Sequence, residues 1–124
     1  MKIAVMIGRI LLGLIFFVFG LNGFLHFLPV PPLPDNDAGH FIGVLIHSRH
    51  IVVVAAVQVI GGALLLVGRY VPLALILLGP VIVNILLYHI LMEPKGIVPG
   101  LVAAILWFIV AYDRRENLRG IFAK

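Results

Sequence analysis

Four stretches of this chain, residues 5–28, 51–67, 71–90 and 97–112, run as nearly unbroken apolar sequence, each near the roughly 20 residues that a helix needs to cross a bilayer. In hydrocarbon every backbone N–H and C=O must be satisfied within the segment, so runs of this kind become helices. The remaining composition points the same way. Of 124 residues, 63% are hydrophobic and 11% charged, whereas a soluble domain carries about a quarter charged residues. No packed core this small hides so much apolar surface from water, which excludes an ordinary cytoplasmic enzyme. The expected fold class is all-α: a polytopic four-helix transmembrane bundle, one domain over residues 1–124, embedded in the lipid bilayer.

The third and fourth runs carry Pro72 and Pro99 near their starts, where a missing N–H costs nothing. The first run follows Lys2 and contains Arg9, but it is too long for a signal peptide and lacks an Ala-x-Ala cleavage site, so it is read as a retained span. Four spans put both ends on one side. Lys2, Arg9, Arg69, Arg114, Arg115, Arg119 and Lys124 then share a compartment, against Arg49 and Lys95 opposite. The positive-inside rule assigns the basic side, with both termini, to the cytoplasm. That topology accounts for the formal charge of +4 without nucleic acid. With no cysteine in the chain, disulfide exchange, thiolate metal sites and iron–sulfur clusters are excluded, and redox work needs a borrowed cofactor.

The outer loop, 29–50, opens with a proline-rich 29–34 segment expected to be extended and polyproline-like, followed by cap residues Asp35, Asn36 and Asp37. A short helix over 38–47 is predicted, with Phe41, Ile42, Leu45 and Ile46 at helical spacing and His40 and His47 on another face. It is too short to span and is expected on the outer surface or tucked over the bundle.

Polar side chains inside the spans are the informative ones. Counted inward at about 1.5 Å per residue, Asn22, Gln58 and Asn84 lie roughly 9 to 11 Å deep on three different helices. Asn22 is one turn from His26 and Asn84 one turn from Tyr88, with His89 next, so two helices continue a polar stripe to the outer interface. This pattern predicts a wet cleft with Asn22, His26, Gln58, Asn84, Tyr88 and His89 as ligand-binding candidates. The competing reading takes the amides as interhelical glue, at about 0.6 to 2 kcal/mol per contact. Pro80, one turn before Asn84, frees the Ile76 carbonyl and is expected to kink the third span.

Small residues indicate packing faces. Ala55, Gln58 and Gly62, with Gly61 beside them, turn one side of the second span to a partner helix. In the fourth, Gly100, Ala103, Ala104, Trp107 and Ala111 form the inward stripe, leaving Leu106, Ile109 and others to lipid. The five histidines, His26, His40, His47, His50 and His89, all fall on the outer side. Imidazole ligates metals or donates to a quinone carbonyl. For metal, His40, His47 and His50 are the weak candidates, His47 and His50 pairing only if the helix continues through Ser48 and Arg49. No Ser-His-Asp set, phosphate-binding glycine loop or pair of intramembrane carboxylates is present, so hydrolysis and nucleotide chemistry have no support.

Gly8-Arg9-Ile10-Leu11-Leu12-Gly13-Leu14-Ile15-Phe16 and Gly20-Leu21-Asn22-Gly23-Phe24 resemble the first span of the DoxX-like membrane family. Val57-Gln58-Val59-Ile60-Gly61-Gly62-Ala63-Leu64-Leu65-Leu66-Val67-Gly68-Arg69 resembles its second span and turn, and Leu86-Leu87-Tyr88-His89 the histidine-bearing end of its third. The resemblance covers about residues 8–90. It implies a four-helix protein of a prokaryotic plasma membrane, associated with quinone-linked oxidoreductases. Where the family often carries a Glu in its second span, this chain has Gln58, which hydrogen-bonds but takes up no proton near neutral pH. The leading expectation is an outer-leaflet cleft that binds a quinone or other small apolar molecule in support of a redox enzyme. The alternatives are a non-catalytic scaffold or accessory subunit that self-associates through its small-residue faces, and an outer-face histidine metal binder.

Overall fold

The computed structural model describes residues 2–25 and 35–122. Six α-helices follow in order: α1 (Lys2–Leu25), α2 (Asp37–His47), α3 (His50–Val67), α4 (Val71–Leu91), α5 (Ile97–Asp113) and α6 (Arg115–Leu118), with 3₁₀ turns at Pro94–Gly96 and Arg119–Phe122. Helices α1, α3 and α4, and the stretch Pro94–Asp113, are long and apolar enough to cross a membrane. There is no strand among the described residues. The proline-rich 29–34 segment lies outside them.

Three helix starts have a local cause. The Asn36 side chain caps α2 by accepting from the Gly39 N–H at 3.0 Å. Pro72 sits in the first turn of α4, and Pro99 is the third residue of α5. Helix α3 ends at Gly68, whose φ of 73° lets its N–H reach back to the Leu64 carbonyl. The Arg9 guanidinium, from α1, donates to the carbonyls of Leu65 and Leu66 at this same end. A cation thus enters the span on the last orphan carbonyls of a neighbouring helix, which offset its charge.

The spans form a ring in which α1 and α4 are each flanked by α3 and α5. The α1–α3 seam is made by glycine. A Cβ added at Gly62 would lie 2.6 Å from the Phe17 nitrogen and 2.8 Å from the Gly13 oxygen, so the two backbones touch. On α1, one heptad beyond Gly13, Gly20 repeats this, a Cβ there lying 2.9 Å from the Ala55 oxygen. Gly61 turns the other way, a Cβ there lying 2.7 Å from Leu78 of α4. The small-residue face expected on this helix is therefore two faces: Ala55 and Gly62 meet α1, and Gly61 meets α4. One residue, about 100° of rotation, separates them.

Leu12, Phe16, Leu65, Leu75, Leu78, Val71 and Val110 fill the centre. Helix α5 buries more than the expected stripe, because it packs on both α1 and α4: Val110 is fully buried, and Leu106, expected toward lipid, approaches Gly8 of α1. The outer faces keep Val83, Ile105 and Phe108 more than half exposed, a surface suited to acyl chains and not to water. Helix α4 continues unbroken through Pro80. Two side-chain bonds cluster around that position. The Trp107 indole donates to the Leu75 carbonyl at 2.9 Å, and Asn84 Nδ2 donates to the Pro80 carbonyl at 3.0 Å.

Candidate functional site

Helix α2 folds back over the start of α3 and the end of α4 and bounds a cavity of about 320 Å³. Each wall is one helical stripe. Helix α3 contributes His50, Ile51, Val54 and Gln58, α4 contributes Val81, Asn84, Ile85, Tyr88 and His89, and α2 contributes Phe41, Ile42 and Leu45. The volume is at the lower end of the range for small-molecule sites, enough for a single ring group.

Four of the six ligand candidates, Gln58, Asn84, Tyr88 and His89, meet in this cavity. Asn22 does not line it, nor does any other residue of α1. Equal depth places a residue along its helix axis but leaves the rotation about that axis open. His26 lies outside the described residues.

The polar groups are arranged unevenly. Asn84 bonds to its own helix one turn back instead of to a neighbour, and it is exposed, so the cavity is reached from outside the bundle. That bond uses one N–H and leaves Oδ1 and the second N–H available. The Gln58 amide makes no hydrogen bond among the described residues. At membrane depth an amide without a partner is costly, and water or a ligand group must satisfy it. Neither amide is the interhelical clasp of the glue reading.

His89 is fixed on its far side. Its Nδ1 lies 3.0 Å from the Glu93 carbonyl, so Nδ1 carries the proton that donates there and a neutral ring keeps Nε2 as an acceptor. The ring fits because residue 96 is glycine: a Cβ there would sit 2.8 Å from His89 Cε1. The Tyr88 ring packs edge-on against His89, with centroids 5.0 Å apart, and stacks on Phe41 at 5.7 Å and 29°. Phe41 and His50 are additions to the expected site. His50 follows from spacing, being one turn before Val54, itself one turn before Gln58. Phe41 has no such local signal, since its ring partner lies 47 positions away, at Tyr88.

The metal candidates are separated. Helix α2 ends at His47, Ser48 and Arg49 form a turn, and α3 starts at His50, so His47 and His50 do not share a continuous helix. His40 and His47 line a shallow recess on the far side of α2, where His40 Nε2 is 3.0 Å from Asp35 Oδ1. No group of three or more metal-ligating side chains occurs among the described residues.

Four apolar spans around a glycine seam, with a lateral ring-lined cavity under a short amphipathic helix, define a small multi-pass membrane protein of the four-helix kind. The DoxX family model matches residues 4–90, and the chain belongs to the DoxX family. Neither the curated proteins nor the solved structures compared with it gave a match. The family match spans α1 to α4, which includes every wall of the cavity.

Proposed function

We propose that the cavity between α2, α3 and α4 binds the head group of a quinone, and that the protein supports a membrane oxidoreductase. The observation that carries this reading is the Gln58 amide, without a partner among the described residues, in an apolar, ring-lined cavity that also presents Asn84 and His89. Gln58 N–H donates to a quinone carbonyl, while Asn84 Oδ1 and His89 Nε2 accept from the hydroxyls of the reduced form. The Tyr88 and Phe41 rings supply a flat apolar surface for the ring. Among the described residues the lining holds neither a carboxylate to relay protons nor a group that changes oxidation state, so in this reading the site holds and orients its ligand and the electrons come from a partner enzyme.

In this reading the chain sits in a prokaryotic plasma membrane with α6 in the cytoplasm and the cavity in the outer leaflet. The distribution of seven basic residues against two supports that orientation.

Extraction and mass spectrometry of protein purified in mild detergent test the assignment. The wild type carries quinone, and Gln58→Leu loses it and melts with quinone-free wild type. If the wild type carries none and added quinone gives no stabilisation at any ratio, the reading fails. If Gln58→Leu melts well below quinone-free wild type, the amide is structural and the scaffold reading stands in its place.

A further inference from the structure

A second polar recess lies at the other end of the bundle, where α1 begins and α5 ends. It is a crevice of about 160 Å³ lined by buried Val5 and Val110 at its floor and by Lys2, Met6, Arg9, Asp113 and Arg114 around it. Three cations stand against one carboxylate. Asp113 is engaged, with Arg114 Nε 3.4 Å from its Oδ2. Arg9 donates from Nη1 to the end of α3, and a guanidinium carries five N–H donors. Lys2 makes no hydrogen bond or ion pair among the described residues.

The geometry points to a binding site for a phosphate-bearing anion, the head group of an acidic phospholipid, held between α1 and α5. Three features select a lipid. The crevice opens where two spans end, which is head-group depth. Its floor is apolar and able to cover the first carbons of an acyl chain, whereas a site for free phosphate is polar throughout. Arg69 and Arg115 lie at the same end and concentrate acidic lipid around it. The site shares no residue with the ring-lined cavity, so it stands or falls independently of quinone.

Thermal unfolding of the full chain in non-ionic detergent, titrated with phosphatidylglycerol, phosphatidylcholine or inorganic phosphate, provides the test. Phosphatidylglycerol is expected to raise the midpoint and phosphatidylcholine to leave it in place. The Lys2→Gln/Arg114→Gln double variant needs about tenfold more phosphatidylglycerol for half the effect, the worth of one charge-assisted hydrogen bond. Asp113→Asn, which removes the rim carboxylate, shifts the half-effect to lower lipid. Arg119→Gln, outside the crevice and paired with Glu116, follows the wild type. Equal stabilisation by phosphatidylcholine, or a double variant that tracks the wild type, overturns the site. The same midpoint shift from inorganic phosphate alone assigns it to a free anion and overturns the lipid. If the double variant does not fold, Asp113→Asn decides, and an unchanged half-effect refutes the proposal.

Discussion

Single atoms set the closest tolerances in this bundle. The hydrogen at Gly62 that a methyl would replace points at the backbone of α1, with the Phe17 nitrogen and the Gly13 oxygen both under 3 Å from the new carbon. Backbone does not rotate away as a side chain does. Gly62→Ala is expected to lower stability by about 1–3 kcal/mol, the usual cost of overpacking, read as a fall in unfolding midpoint in detergent. Arg9 sets a different tolerance. Replacing it with Met removes the donors to the Leu65 and Leu66 carbonyls, and each carbonyl left unsatisfied costs about 1–3 kcal/mol. Arg9→Met is therefore expected to melt earlier than wild type, with Arg9→Lys between the two. At this scale the sequence was legible where chemistry is local. The i, i+4 pair Asn84–Tyr88, with His89 beside it, marked one wall of the cavity, and Gln58 marked another. Asn22 shows the limit. Its depth matches theirs, yet depth gives no azimuth, and Asn22 is not among the residues that line the cavity.

Whole helices were easier to read than their contacts. Apolar length alone marks all four spans, and Asn36 and Pro72 mark the starts of two helices, because these are properties of a segment by itself. What the segment meets was less legible. Helix α4 runs on through Pro80, and the Trp107 bond to the Leu75 carbonyl beside it joins residues 32 positions apart. The seat of α2 was equally hidden. The apolar set of that helix predicts a buried face, and only the tertiary structure puts Phe41 on Tyr88 while leaving Ile46 half exposed. Phe41 is itself 39% exposed, so it contributes more to covering the cavity than to holding the fold. Phe41→Ala is expected to change the melting temperature little and to speed quinone loss on detergent washing. A large fall in melting temperature with retention unchanged would show instead that α2 is a structural brace.

At the scale of the molecule, the arrangement is polar at two ends and apolar between them. The ring-lined cavity is near one membrane face and the cationic crevice near the other. The proposed orientation rests on the basic residues, and the absence of cysteine makes it simple to check. Ser48→Cys, in the turn between α2 and α3, is expected to react with an impermeant thiol reagent in intact cells. Asn117→Cys, in α6, is expected to react only after permeabilisation. The reverse pattern would move the cavity to the inner leaflet. The glycine seam also bears on how anything enters that cavity. With their main chains in contact, α1 and α3 behave as a single post that neither slides nor tilts without breaking the seam. Under the proposed binding role, a ligand then comes and goes through the open flank at Asn84, along α2 and α4, the two walls that stand outside the seam.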